Sequence, residues 1–480
     1  MRLSGRTGAI ALCCIAGITL FACKTGGPSV KPTEQPHKTK AEKKYTRIGF
    51  GEELEALLQA GKMDEALALF DTVPEPDASE ASIRMLKLSI LISAKKTDEA
   101  TTLANELETA NPKDPDILYI QAMLADAKND TKAKNAYLNR VIAVKPDHSQ
   151  ALTSLGLDAL SHKGYPQAKT LFLKALVASP DNVDALLGLA RVYYMQNDLK
   201  KSGETLNLAI QKESGYGALW AERARVKSET GDLTGALADI AQAIKLDPDV
   251  ATYRIDQGNY YITCAKKEEA RAAFSEAIRL EPDNYIAYIY RAGLNDDLGH
   301  TDEAISDYAA VCRLYPQYYY ANESLGVLLW GKGDYEGSGE AFKRALVYDP
   351  KNTSYALMLT LSWYRQNQDD RAKQFMSKYI TTLDQSTIDY YVCRLFADKS
   401  GDTEVLDRIL KEKDKTKRNR MLFYSATFYD LFLNKTIAQK FYAQIIAEQA
   451  PTFFEYRLCQ WALRDLEHAG DTPANPAPRS

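Results

Sequence analysis

The stretch AIRLEPDN, Ala277–Asn284, has a counterpart thirty-four residues earlier, AIKLDPDV at 243–250, and another thirty-four residues later, VCRLYPQY at 311–318. In each, an apolar helix-like pattern is closed by proline. The proline recurs at Pro112, Pro146, Pro180, Pro248, Pro282, Pro316 and Pro350, and Ser214 fills the one slot it skips. Only 18 of 480 residues are proline, so chance does not produce this spacing. A fixed period of this length marks a stacked array of paired helices. Proline suits the place where a helix has ended, because it has no N–H with which to continue the ladder.

Other residues keep the same register when each repeat is started three residues after its proline slot. Position 8 is then Gly156, Ala190, Ala224, Gly258, Ala292 and Gly326. Position 20 is Ala66, Ala100, Ala168, Ser202, Ala236, Ala270, Ala304, Ser338 and Ala372, with Lys134 the exception. Position 27 is Ala175, Ala209, Ala243, Ala277 and Ala345, with Val311 between. Small residues at these places let two antiparallel helices approach closely, while Phe172, Tyr261, Phe274 and Phe342 fill the space beside them.

On these residues the chain resembles a tetratricopeptide repeat array. Repeat 319–352 carries Leu325-Gly326, Gly333, Tyr335, Phe342, Ala345 and Pro350 at the family's positions. The resemblance implies an all-α, right-handed superhelical solenoid of about twelve helix pairs spanning 47–452. The best-defined repeats are 81–386, and 387–418 and 419–452 are degenerate. The segment 453–468 reads as a C-terminal capping helix and 469–480 as a disordered tail. Stability in such an array sums over repeats and their interfaces, so it should fall toward 387–452.

The N-terminus speaks to location. Arg2 and Arg6 precede a fifteen-residue apolar run, Gly8–Ala22, that is too short to span a bilayer comfortably and has the layout of a secretory signal. LFAC, Leu20–Cys23, resembles a bacterial lipobox, with Phe21 where a smaller residue is usual. The resemblance implies cleavage after residue 22 and lipidation of Cys23, with several acyl chains giving stable anchoring. Lys24 is compatible with outer-membrane sorting, so the expected location is a bacterial envelope membrane, facing the periplasm or the cell exterior. Residues 23–46 are rich in Pro, Gly, Thr and Lys and read as a flexible tether of roughly 25 Å mean reach.

Four cysteines remain beyond Cys23: Cys264, Cys312, Cys393 and Cys459. Their spacing fits neither a disulfide framework nor a metal motif, and all four are expected as buried thiols. The net charge of −4 argues against a nucleic-acid surface. The sequence holds no G-x-x-x-x-G-K-[ST], H-E-x-x-H or G-x-S-x-G. Carboxylates gather at inter-repeat turns, where they start helices. No enzyme activity, metal or cofactor is expected.

In the family the first helix of each repeat lines the concave face, chiefly through positions 2, 5, 9, 12 and 13. Here position 9 gives Arg191, Arg225 and Asn259, and position 12 gives Tyr194, Trp330 and Tyr364. Tyr320 stands at position 2, with Glu229 and Arg365 at 13. These residues are the candidate binding ladder for an extended peptide or partner protein. The arginines would hold carboxylates or carbonyls and the aromatics would serve as anchors, with Asp296 and Asp297 repelling acidic ligands. The carboxylate-clamp pattern of Lys at 5 and Asn at 9 and 13 is missing, since Asn259 is accompanied by Ile255 and Thr263. The layout implies a scaffold or assembly factor of the cell envelope. The alternative is a glycan or peptidoglycan fragment stacked on the aromatic ladder.

Overall fold

The computed structural model of the chain describes residues 45–471. It contains twenty-five α-helices among the described residues, twelve consecutive antiparallel pairs and a final helix Glu455–Asp471. No strand occurs among the described residues. The chain divides into two compact blocks, one ending at Thr230 and one beginning at Gly231.

The turns explain why the period is so regular. Between the two helices of a repeat, position 15 is left-handed in ten successive repeats, from Gly61, Lys95 and Asn129 through Ala265, Gly299, Gly333 and Asn367, with φ between +57° and +84°. Each second helix then starts on a side-chain cap wherever the residue allows. Asp130, Asp198, Asp232 and Asp334 accept hydrogen bonds from the backbone N–H groups of Ala133, Lys201, Gly235 and Gly337. Asn182 and Asn284 do the same for first helices, bonding Ala185 and Ala287. Such caps satisfy N–H groups that the helix itself leaves open.

The small-residue positions sit where the helices meet. Ala66, Ala100, Ala168, Ala236, Ala270, Ala304 and Ala372 at position 20 have no exposed surface, nor do the position-27 residues from Ala175 to Ala345. Ser202 and Ser338 fit the same slot because each hydroxyl donates to the carbonyl of its own repeat's position 8, Ala190 and Gly326, at 2.9 and 2.8 Å. Lys134 escapes by pairing with Asp126 at 2.9 Å. Glycine at position 8 accompanies phenylalanine at position 24. A Cβ on Gly156, Gly258 or Gly326 would come within 2.6 to 2.8 Å of Phe172, Phe274 or Phe342.

The core is unevenly distributed. Repeats of the first block hold small separate clusters, such as Leu118, Ala122, Leu138, Val141 and Ala151. In the second block one continuous cluster runs from Val327 to Cys459. It includes the stretch 387–452, where a weakening of the array was expected from the sequence. Helix Thr353–Arg365 is buried at every residue from Thr353 to Tyr364, and helix Lys415–Phe428 at every residue from Met421 to Phe428. Cys393 and Cys459 are buried free thiols, but Cys264 and Cys312 are only half-buried, which corrects the expectation for those two.

Candidate functional site

The ladder residues fall in both blocks. In the first, Arg191 and Arg225 come from first helices Val183–Met195 and Gly217–Glu229. They do not stand open to a ligand. Arg191 Nε donates to Glu222 Oε1 at 2.6 Å, and Arg225 pairs with the other oxygen of the same carboxylate. Glu222 is itself buried. The Arg225 guanidinium lies 4.6 Å from the Tyr194 ring centroid, and the Tyr194 hydroxyl donates to Glu229 at 3.2 Å. The register therefore does join positions 9, 12 and 13 of adjacent repeats. The carboxylate they hold belongs to the chain, a residue at position 6 that the sequence reading passed over.

In the second block the candidates separate by exposure. Asn259 is half-buried. Tyr320 is 52% exposed, stacked on Tyr319 with ring centroids 4.4 Å apart. Trp330 is half-buried, edge-on to Tyr335 at 4.9 Å and packed against the main core. Tyr364 is not an accessible anchor. It is 5% exposed, its hydroxyl donates to the Phe396 carbonyl at 2.6 Å, and burial raises its pKa. Arg365 is committed to Asp430 at 2.7 Å. Asp430 is presented by a π-helical turn, Tyr429–Leu433, inserted after helix Lys415–Phe428.

The inner face of this block is occupied by the chain itself. The final helix packs on helix Lys435–Ala447, as a cap would, but it and the preceding Phe454 also reach back to three earlier repeats. Arg457 grips Asp296 with two bonds of 2.6 and 2.7 Å. Trp461 lies on Gly331, where an added Cβ would approach its ring to 2.5 Å. Phe454 lies 5.6 Å from Phe342 and 6.4 Å from Tyr355, ring to ring. Glu455, fully buried, accepts from the Tyr424 hydroxyl at 2.7 Å. Asp296 and Gly331 are positions 12 and 13 of their repeats, places assigned to the groove. The acidic pair Asp296–Asp297 repels no ligand here, since Lys267 takes Asp297 at 2.9 Å.

Burial governs the titrating groups around this helix. It raises the Glu455 and Glu323 carboxyls above the ordinary range and the Tyr424 hydroxyl well above its own. It also pushes the Cys459 thiol up to about 12 and that of Cys312 up to about 11, so neither is a ready nucleophile. No group of three His, Cys, Asp or Glu side chains placed to hold a metal occurs among the described residues, and no helix there is long and apolar enough to cross a membrane. Cys23 and the tether to residue 44 lie outside the described residues.

Known proteins share this architecture. The tetratricopeptide repeat family profile matches residues 153–218, 255–319 and 296–356. TPR repeat-containing protein PA4667 of Pseudomonas aeruginosa is 28% identical over 190 residues, covering 37% of this chain and 32% of that protein. Hsp70-Hsp90 organizing protein 3 of Arabidopsis thaliana is 27% identical over 171 residues, covering 36% and 29%. The chain thus spans about a third of the length of these relatives. A solved structure of Pseudomonas aeruginosa PilF is 20% identical with a TM-score of 0.39, covering 43% of this chain and 94% of that one. Helix pairs, the thirty-four-residue register and the profile matches agree on a solenoid of the tetratricopeptide-repeat type.

Proposed function

We propose that the protein is a non-catalytic interaction scaffold, held at a bacterial envelope membrane by lipid on Cys23, that binds an extended peptide or a partner protein along the inner face of its repeats. The observation that carries this reading is register. Side chains thirty-four residues apart meet on neighbouring rungs, as Arg191 and Arg225 do around Glu222. A face built of such rungs offers hydrogen-bonding groups at a repeat distance suited to a long ligand. Because the arginines are already paired, a ligand must either displace Glu222 or bond to the edges of the network. The name of the plant relative, an organizing protein, agrees with a scaffold role.

A glycan ligand is the second reading, and one feature favours it. Tyr285 stacks on Tyr315 at 4.5 Å and Tyr319 on Tyr320 at 4.4 Å, forming partly exposed aromatic ledges beside the inter-repeat turns. Crosslinking in intact cells, followed by detergent fractionation, tests both readings. The wild-type chain should enter the detergent phase and bring down proteins, and Cys23→Ala should leave that phase. Wall fragments in place of proteins would favour the glycan reading, and equal partitioning of Cys23→Ala would remove the anchor.

A further inference from the structure

We propose that the inner face of the second block is a binding site for an amphipathic helix, and that the C-terminal helix Glu455–Asp471 is its exchangeable resident. The inference rests on the scaffold reading and names the chemistry of the partner: a helix bearing an arginine flanked by aromatic residues at the spacing found here.

The resident binds as a helical ligand would. Its contacts come from Phe454, Arg457, Leu458 and Trp461, the i, i+3, i+4, i+7 pattern of one helical face. Its opposite face, with Gln460, Arg464 and Glu467, is exposed. Each anchor meets a different repeat: Arg457 at Asp296, Trp461 at Gly331 and Phe454 at Tyr355. A helix whose only role was to close the array would need contact with the last pair alone.

The fit is also imperfect, which is what makes exchange possible. Under the helix Glu455 is a fully buried carboxyl held by the Tyr424 hydroxyl, and Arg420 Nε is buried without a hydrogen-bond partner. Beside them lies a cavity of about 200 Å³ lined by Glu323, Asn352, Ser354, Arg420, Phe454 and Glu455. Buried polar groups left unpaired weaken the contact that buries them. A partner helix with an uncharged residue in place of Glu455 escapes the cost of burying a carboxyl. The latch is reachable, because Arg457 and Asp296 keep 37% and 21% of their side-chain surface exposed. The link to the preceding helix, with Gln449 at φ +48° followed by Pro451, lies outside regular structure.

The test uses the full chain and a fluorescent peptide of residues 453–468. Arg457→Asp places two acids face to face and should release the resident helix. This variant should bind the wild-type peptide at least tenfold more tightly than the wild-type chain does, and should not bind a peptide carrying the same substitution. Adding Asp296→Arg to Arg457→Asp should restore closure and abolish binding. Loss of amide protection over 455–468 in Arg457→Asp without peptide binding would overturn the proposal, as would unchanged protection. Should Arg457→Asp fail to fold, the wild-type chain decides the matter. Amides of 455–468 must exchange before those of Lys415–Phe428, and exchange of both together would mean the helix never leaves. Crosslinked proteins recovered by a wild-type chain whose groove takes no peptide would overturn this site and leave the scaffold reading standing.

Discussion

At Gly326 the backbone of one helix lies against the ring of Phe342, and the pair shows what the register does at atomic size. A methyl group there would sit 2.8 Å from the ring, well inside contact distance. Phe342 is fully buried between Tyr355 and Phe454 and has nowhere to go. Gly326→Ala should therefore cost about 1–3 kcal/mol by overpacking, despite alanine's better helix propensity. Combining it with Phe342→Leu should recover part of the loss, because repeat 183–216 already pairs Ala190 with Leu206. Thermal melts of the two single variants and the double would show this as a coupling; strict additivity would refute it. The rule was half legible. Small residues at positions 8 and 20 were plain in the sequence, and the left-handed turn at position 15 was visible only where it is glycine. Lys163 and Ala265 hide it, because tertiary packing holds a non-glycine residue in a conformation that it disfavours by itself.

Among the elements, the final helix departs furthest from its sequence reading. FFEYRLCQWALRDLEH reads as a cap because its amphipathic pattern says that one face is buried and not against what. How far the second block curves back is set by small rotations summed over several repeats, which no local pattern encodes. A signal did exist nearby. YALMLTLSW at 355–363 and MLFYSATF at 421–428 contain no charged residue. A helix that is apolar all round is buried all round, so a groove lined by the first of these could not be open to water. Tyr364, next to the first of these stretches, therefore has no place on an open ladder. Glu455 supplies a test of docking. Burial raises its pKa, so the folded state binds its proton more tightly than the unfolded state. The resulting stability is complete below the ordinary glutamate value of about 4.5 and is lost as pH rises above it. Glu455→Gln keeps an acceptor for the Tyr424 hydroxyl and cannot ionise. Its melting temperature should gain on wild type as pH rises above about 4.5, and a difference that does not change with pH would mean that Glu455 is solvated.

For the molecule as a whole, helical content and repeat number could be read from one line of sequence, while the distribution of stability could not. Counting matches to the family pattern places the weak end at 387–452, because those repeats have lost the proline and the small residues. Packing places it elsewhere. Conformity to a repeat pattern measures how well each pair stacks on its neighbour, and the second block has added a different kind of contact. Tyr424, on helix Lys415–Phe428, bonds the Ser354 carbonyl seventy residues upstream at 3.3 Å, and Arg365 reaches Asp430 across sixty-five. Among the described residues, repeats in the first block pack on near neighbours through clusters such as Leu152, Phe172, Leu189 and Val192. Opening one of these separates a pair of helices. Opening helix Thr353–Arg365 instead exposes twelve consecutive buried residues and the core around them. Local opening free energies track buried apolar contact. Hydrogen exchange followed by mass spectrometry should accordingly find the slowest amides in Thr353–Arg365 and Lys415–Phe428, at least tenfold slower than those of Pro115–Ala127. The reverse order, with protection falling steadily from 353 toward 452, would mean that repeat conformity rather than the continuous core sets the stability of this chain.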